Sequence, residues 1–442
     1  MRIATRAAIA ALFLAALAMR VSGEDEALSL QKARELVLSR SSTLRKAELS
    51  VNGAALAAKG QLYAALPSLS AGAGGSLAYG DGAGSLSDSI GESAKLSASE
   101  TVFDGGKTPA LVKKYNLATE AAREALRGTR VSLVGDADSA FFSTLAAEAS
   151  VNAAAGDLEA AGLRLQIAQA KADAGNLSKS DLLQTEAETA GYETALTTAK
   201  KTLSSARAKL ASITGLPAAT ALRQIDFASY DDVMKKMSAL DAAAMDKLAS
   251  DVVAVARKNN PTLSSYALAS GQARAAILAA KASYLPSLTA GISQDYAYSK
   301  SSGLVSTGSV SLTASLSLDL WNTKNAVDSA KVAAEQAELD GSEGLRSLEL
   351  SVVQAVYEWL ASARAVGSSA KALEYAESNY ANVLEKFKLS AATASDLSTA
   401  EALVSADRTA LISARYTFLA DLSNIRGYAG LEDESGLLAA IP

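Results

Sequence analysis

Residues 309–321 read SVSLTASLSLDLW. Val310, Leu312, Ala314, Leu316, Leu318 and Leu320 fall on one phase of a two-residue period, and Ser309, Ser311, Thr313, Ser315, Ser317 and Asp319 fall on the other. Such alternation marks a strand, because successive side chains point to opposite faces. The stretch predicts a strand of about twelve residues, aliphatic on one face and hydroxyl-lined on the other. Strands in soluble folds usually run about 5–6 residues, so the length asks for another setting.

The rest of the chain reads as helix. Of 442 residues only 5% are aromatic, and much of the 49% apolar content is alanine, which suits closely packed long helices better than a bulky core. The formal net charge of -5 arises from interspersed acids and bases, so there is no basic stripe to neutralise phosphates and no nucleic-acid partner is expected. Cysteine and histidine are both absent, which removes disulfides, thiolate and imidazole metal sites, cysteine nucleophiles and histidine acid–base chemistry. It also excludes a lipidated N-terminal cysteine. Phe103-Asp104-Gly105-Gly106 lacks the lysine-serine ending and βαβ context of a phosphate loop and reads as a turn. Glu186 and Glu188 lie on a helix dense with charge and read as a solvated face. The expectation is a protein that is not an enzyme and has no cofactor and no metal site.

Residues 1–23, MRIATRAAIAALFLAALAMRVSG, place Arg2 and Arg6 before an apolar run from Ala7 to Met19, the pattern of a signal peptide too short to span a membrane. Val21 and Gly23 suit cleavage before Glu24, and cleavage after Ala18 is the alternative. No later segment has the continuous apolar length of a spanning helix, so any membrane crossing must be by strands.

Internal similarity organises what remains. STLRKAELS from Ser42 is echoed by PTLSSYALA from Pro261, and YAALPSLSAG from Tyr63 by SYLPSLTAG from Ser283. Thr43 to Thr262 and Pro67 to Pro286 share an offset of 219, while SKSDLL from Ser178 and TASDLS from Thr393 stand 215 apart. A duplication explains the kept order. Each copy predicts a helix ending at Leu-Pro-Ser-Leu, where the proline turns its predecessor to extended geometry, then two strands joined by a glycine- and serine-rich loop. Long helical stripes follow. In the first copy Thr108 and Pro109 form a candidate N-cap and first-turn pair. The stripe runs through Leu111, Tyr115, Leu126, Ala137, Phe141, Leu145, Val151, Leu158, Leu163 and Ile167 to a break at Gly175, about 65 residues or roughly 100 Å, a coiled-coil length. Ser178 or Ser180 can cap a returning helix.

The predicted division is therefore a signal peptide at 1–23, a first repeat at 24–215 with strands within about 67–103 and helices at about 108–174 and 180–214, and a connecting segment at 216–258. A second repeat follows at 259–430 with strands within about 286–321 and helices at about 322–390 and 395–426, then a tail at 431–442.

Four strands cannot close a barrel that holds a channel, and open sheet edges are not tolerated in lipid, so strands from several chains must join. Candidate interfacial aromatics lie near the strand ends: Tyr63, Phe103, Tyr284 and Trp321 on the helical side, Tyr79, Tyr296 and Tyr298 toward the loops. Ser311, Thr313, Ser315 and Ser317 are then expected to face a watery lumen, and Val310, Leu312, Leu316 and Leu318 the outer-membrane lipid.

Together these features resemble the TolC-like outer-membrane efflux and secretion channels, over nearly the whole mature chain. The likeness rests on the duplicated halves, the Leu-Pro-Ser-Leu approach to each hairpin, Phe103-Asp104-Gly105-Gly106 at the exit from the first, Gly175 followed by Asp181-Leu182-Leu183, and Ile213-Thr214-Gly215 at the end of the returning helix. It implies a mainly α fold with a β-barrel part, built as two tandem repeats of a β-hairpin plus a long helical hairpin. A homotrimer would share a twelve-stranded barrel and form a periplasmic helical tunnel. The setting would be the outer membrane of a diderm bacterium, and the partners a periplasmic adaptor and an inner-membrane transporter, serving drug efflux or type I secretion. Gly175, Asn176, Leu177, Ala392 and Thr393 become the candidate adaptor-docking tips. Asp181 and Asp396 are candidate pore or gate acids, or equally helix-starting acids favoured by the macrodipole. The second tip departs from the family pattern: LSAATASD has no glycine, and Thr399 stands where a second gate acid often sits. A structural or adhesive periplasmic coiled-coil protein without an open pore is the other function class that fits.

Overall fold

The computed structural model describes residues 27–77, 90–299, 302–389, 391–434 and 437. The expected signal peptide, Tyr79, the first hairpin loop around Asp81 and Ser390 of the second tip lie outside these residues.

In chain order the elements are α1 (Leu30–Arg40), α2 (Ser42–Tyr63), β1 (Ser68–Leu77), β2 (Ile90–Phe103), α3 (Lys107–Asp173) and α4 (Lys179–Thr214). Then come α5 (Asp231–Ser238), α6 (Ala242–Asn259), α7 (Pro261–Lys281), β3 (Ser287–Ser299), β4 (Gly303–Ser315), α8 (Leu320–Lys388) and α9 (Ala394–Tyr428). The two halves repeat one order: helix, hairpin, very long helix, returning helix. The chain divides into two compact units, and α3 and α8 each contribute to both.

One unit holds residues 43–129 and 259–349, including a four-stranded antiparallel sheet in the order β1-β2-β3-β4. The two hairpins join through β2 and β3, one strand from each half. At the exit of β2 the register shifts between Thr101 and Phe103, so Val102 is an extra residue and Phe103 comes opposite Leu288. The following turn needs Gly105, whose φ is +70° and where an added Cβ would run into the carbonyl oxygen of Ala282. The helix start is capped by Asp104, which accepts from the N–H groups of Gly106 at 3.1 Å and Thr108 at 2.6 Å. The cap is thus Asp104 rather than Thr108, because the chain becomes helical already at Lys107.

The strand expected at 309–321 is shifted toward the N-terminus. β4 runs from Gly303 to Ser315, and Leu316, Ser317 and Leu318 lie beyond it; α8, expected from about 322, begins at Leu320, so Trp321 sits in the first turn of a helix. The cause lies in the partner strand. β3 begins at Ser287, immediately after Pro286, and Ser287 pairs with Ser315, so nothing remains for later residues to pair with. Alternation continues in the sequence after the ladder has run out.

The other unit holds residues up to 42, 130–258 and 350 onward. Its helices pack through small residues: Ala137, Ala140, Ala161 and Ala168 on α3 and Ala363 and Ala376 on α8 are buried, and Trp359 stacks on Phe418 with ring centroids 5.7 Å apart. Past residue 150 the buried stripe of α3 passes through Asp157, Ala161, Arg164 and Ala168, while Leu163 is 57% exposed, so the aliphatic stripe expected through Leu163 is not the inner face. The connecting segment packs against the same unit. Met234 and Met237 are buried, Phe227 meets Tyr416 edge-on at 5.4 Å, and Leu28 forms a parallel bridge with Leu222.

One buried carboxylate ties three parts of this unit together. Asp138 on α3 is fully buried and accepts from Arg34 of α1 at 2.6 and 2.8 Å, and from Ser423 at 2.6 Å and Arg426 at 2.8 Å, both on α9. Arg426, also fully buried, donates to the carbonyls of Leu431 and Glu432, and Arg34 reaches Glu434. Removing one partner of a buried pair leaves an uncompensated charge, at a cost of about 3–5 kcal/mol. Asp138→Ala is accordingly expected to lower the denaturant midpoint of unfolding by that equivalent, and a midpoint equal to the parent's would show that Arg34 and Arg426 do not depend on Asp138 to stay buried.

Candidate functional site

The sheet has two chemically opposed faces. On one, the register lines up Leu69, Ala98, Ile292 and Val310 in a single cross-strand row, with Ala290 opposite Leu312 and Leu288 opposite Ala314 beside it. On the other, Ser70, Ser97, Ser293 and Ser309 form one row, and Thr101, Thr289 and Thr313 another. Hydroxyls pair across the strands: Ser70 with Ser97 at 2.8 Å, Ser68 with Ser99 at 2.9 Å, Ser293 with Ser309 at 3.0 Å and Ser287 with Ser315 at 2.9 Å. Val310 and Leu312 thus lie opposite in sense to Ser311, Thr313 and Ser315, and both faces are open to solvent in the single chain; Val310 is 84% exposed. Leu316, Ser317 and Leu318 belong to neither face, since they follow the strand.

The aliphatic face is bounded by charge and by aromatic rings. Glu100, opposite Ala290, and Glu92, opposite Tyr298, mark its two ends on β2. Tyr296 and Tyr298 lie at the loop end and Phe103 at the helical end, where the bulge turns it onto this face beside Leu288. Trp321, 84% exposed, and Tyr284 also lie at the helical end, outside the strands. Two polar residues interrupt the face, and they pair with each other: Gln294 donates through its amide to Ser306, which stands opposite Tyr296, at 2.7 Å.

The tips at the far ends of α3/α4 and α8/α9 form the second candidate site. At the first, Gly175 takes φ +72° and Asn176 donates to the carbonyl of Lys171 at 2.8 Å; at the second, Ala391 donates to Lys386, also five residues back, at 2.8 Å. Both tips therefore share this bond to the carbonyl five residues back. Ser178 caps α4 by accepting from the N–H of Asp181 at 3.1 Å. Thr393 caps α9 more completely, accepting from the N–H of Asp396 at 3.1 Å, while the Asp396 carboxylate accepts from the N–H of Thr393 at 2.9 Å and from its hydroxyl at 2.7 Å. These bonds from Thr393, side chain first and then backbone, hold the Asp396 pKa below the usual carboxylate range. Leu177 is half-buried, Gly175, Asn176 and Thr393 are exposed, and Ala392 and Asp396 line an open groove of about 690 Å³ together with Val383, Thr399 and Leu403.

Behind the tips lies a buried charged cluster that the helical pattern concealed. Arg164 of α3, 3% exposed, meets Glu401 of α9 at 2.7 Å and Glu188 of α4 at 3.1 Å. Asp157 accepts from Ser405 at 2.6 Å and from Arg408 at 2.7 Å, and Arg408 reaches Glu377 of α8 at 3.5 Å. Burial pushes the Glu401 pKa up even against Arg164, and burial with the nearby Glu401 pushes Tyr192 up to about 12. Closer to the tips, Lys171 donates to the carbonyl of Phe387 at 2.7 Å and its ammonium stands 3.9 Å from that ring. Glu188, assigned to a solvated face by its sequence context, is one of the cluster's members. The only sequence signal for the cluster is an arginine standing between alanines on a helical spacing, Ala161, Arg164 and Ala168.

Among the described residues there is no group of carboxylates arranged to hold a metal, and no helix is long and apolar enough to cross a membrane. No curated protein matches the sequence. Solved structures do match the fold. The channel protein CusC superposes with a TM-score of 0.80 at 16% identity, over 91% of this chain and 92% of that one. The outer-membrane protein VceC of Vibrio cholerae gives 0.75 at 15%, over 91% and 97%. The MtrE outer-membrane channel of Neisseria gonorrhoeae, in its open state, gives 0.72 at 20%, over 92% and 90%. The sequence model of the outer membrane efflux proteins matches residues 33–216 and again 252–431, one match to each half. With the duplication seen in the chain matched half by half, the chain belongs to the outer membrane efflux protein family.

Proposed function

We propose that three copies of the chain pool their sheets into one twelve-stranded barrel in the outer membrane, continued by their helices as an aqueous duct for drug efflux or type I secretion. The observation that carries this reading is the sheet with two exposed faces of opposite chemistry. Its aliphatic face suits lipid and its hydroxyl face suits water, as in membrane barrels. Glu92 and Glu100 are eight residues apart, about 27 Å along the strand at 3.4 Å per residue, or about 20 Å of height at a tilt near 45°, close to the apolar band of about 25 Å. Phe103, Trp321, Tyr296 and Tyr298 would then sit at the two interfaces. β1 and β4 are the unpaired edges and run in opposite directions, so β4 of one copy can continue into β1 of the next as an antiparallel pair. Exposed Leu339, Leu350 and Tyr375 on α8 are the kind of surface that neighbouring copies would cover.

The tips at Gly175, Asn176, Leu177, Ala392 and Thr393 would meet a periplasmic adaptor, and through it an inner-membrane transporter. Asp181 and Asp396 would gather near the periplasmic mouth, where like charges crowd and attract cations. The bond of the Asp181 N–H to Ser178 leaves its carboxylate to that role, and the capping box at Asp396 does not prevent it.

Cross-linking of detergent-extracted protein is expected to give a dominant trimer, and a dominant monomer or dimer would remove the shared barrel. Val310→Lys puts a cation on the lipid face at a cost of about 2–4 kcal/mol near the midplane and is expected to reduce trimer yield. Ser311→Lys, opposite Gly291 on the other face, should assemble normally. Equal behaviour of the two variants would reverse or void the assignment of faces.

For the mouth, Asp181→Ala combined with Asp396→Ala should change single-channel conductance or weaken block by divalent cations while trimer yield stays intact; unchanged conductance and block would reduce both residues to helix caps. The cap itself carries a pH signature. A depressed pKa means that the Asp396 cap stabilises the start of α9 above the unfolded carboxylate value of about 3.9 and is lost as pH falls through the lower folded value. Amide exchange at Thr393, whose N–H the carboxylate accepts, should therefore quicken, relative to mid-helix amides, only in that acid window.

A further inference from the structure

Charge is nearly absent from the hydroxyl face. Among the described strand residues it has two charged side chains, Lys95 on β2 and Asp295 on β3, and they stand directly opposite each other with Nζ to Oδ1 at 3.3 Å. Ser293 donates to the other carboxylate oxygen of Asp295 at 3.0 Å. The same level is completed by Gly72 on β1 and Thr307 on β4, so among the described strand residues no third charge stands at it. Both partners are exposed, at 58% and 42% of their side-chain surface, and an ion pair so open to water adds little to stability.

We infer that Lys95 and Asp295 set the charge preference of the barrel section, which takes solutes of either sign because the pair cancels. The inference rests on the proposed barrel with its hydroxyl face inward. Three copies then place three ammonium and three carboxylate groups in one belt, on a wall otherwise made of hydroxyls, glycine and a few small apolar side chains. Rings of like charge are what make a pore prefer one ion sign, and their reach is about one Debye length, near 10 Å at 0.1 M salt and longer below it. A balanced belt supplies no such ring. Removing one partner uncovers it: without Lys95 the belt is anionic, and without Asp295 it is cationic.

The test is the reversal potential of single channels in planar bilayers under a potassium chloride gradient at low ionic strength. Lys95→Gln should shift it toward the cation potential, Asp295→Asn toward the anion potential, and the double variant should return it to the parent value. Conducting channels whose reversal potential is unchanged in both single variants, or moves the same way in both, would overturn the inference. The barrel reading is checked separately, using the absence of cysteine from the natural chain. Ser97→Cys on the hydroxyl face should react with a membrane-impermeant maleimide in intact outer membranes, and Val310→Cys should not. If Ser97→Cys is unreactive, the inward hydroxyl face is wrong and the inference falls with it. If it reacts while the reversal potentials stay put, the barrel stands and only the assignment of charge preference to this pair fails.

Discussion

A sheet that is covered on neither face cannot be the end point of folding for a chain in water. The aliphatic row from Leu69 to Val310 lies open on one side, and the serine row from Ser70 to Ser309 lies open on the other. A soluble sheet would bury the first row against a second layer. Here the two rows ask for two different solvents, and a barrel wall between lipid and water satisfies both at once while pairing every backbone group. The register across β2 and β3, strands from different halves, keeps the aliphatic and hydroxyl faces in phase from Gly91 to Thr101. A slip of one residue there would exchange the faces of one hairpin relative to the other.

The helical part is governed by a different constraint, which is the small size of its side chains. Alanine lets long helices approach closely, but an alanine stripe specifies axial register poorly, since neighbouring alanines are interchangeable. Buried charges supply what the alanines lack. Arg164 meets Glu188 and Glu401 on two other helices, and Asp138 gathers Arg34, Ser423 and Arg426 from two more segments. Taking such groups out of water is expensive, which the raised pKa of Glu401 reflects, so their contribution to net stability is small and their contribution to a single alignment is large. A one-turn slide of α9 along α3 would take Glu401 away from Arg164 and leave Glu188 as the one remaining carboxylate partner of the two.

The sequence makes the strands, the hairpins, the long helices and the duplicated order legible, because each rests on a local period or on a residue with one conformational meaning: Pro67, Pro286, Gly175, Gly215. Features that depend on a partner were not legible. The end of β4 at Ser315 is dictated by the start of β3, not by anything in SLSLDLW, so Leu316, Ser317 and Leu318 read as strand and are not. Asp104 displaced Thr108 as the cap because the turn at Gly105 admits one more helical residue before it. Leu163 read as inward and Glu188 as solvated, since hydrophobicity alone decides such assignments and the inner face at that level is built of alanine and paired charge. Asp181 and Asp396 were readable both as helix-starting acids and as mouth acids; both stand in the first turn of their helices, with Ser178 capping the first and Thr393 sharing a capping box with the second.

The distribution of charge among the strands is the final step. Soluble proteins blunt exposed strand edges with charged side chains, proline or bulges, because an edge of free N–H and C=O groups recruits other chains. This sheet does the reverse. β1, SLSAGAGGSL, and β4, GLVSTGSVSLTAS, are its two edges, and neither contains a charge or a proline. All four strand charges, Glu92, Lys95, Glu100 and Asp295, lie on the inner strands β2 and β3, and the one register shift lies there too. The edges are left clean and the protected positions carry the polar work. In a monomer that arrangement would be an aggregation hazard; in a wall whose edges are always taken by the next copy it is the arrangement that lets the ladder run on without interruption.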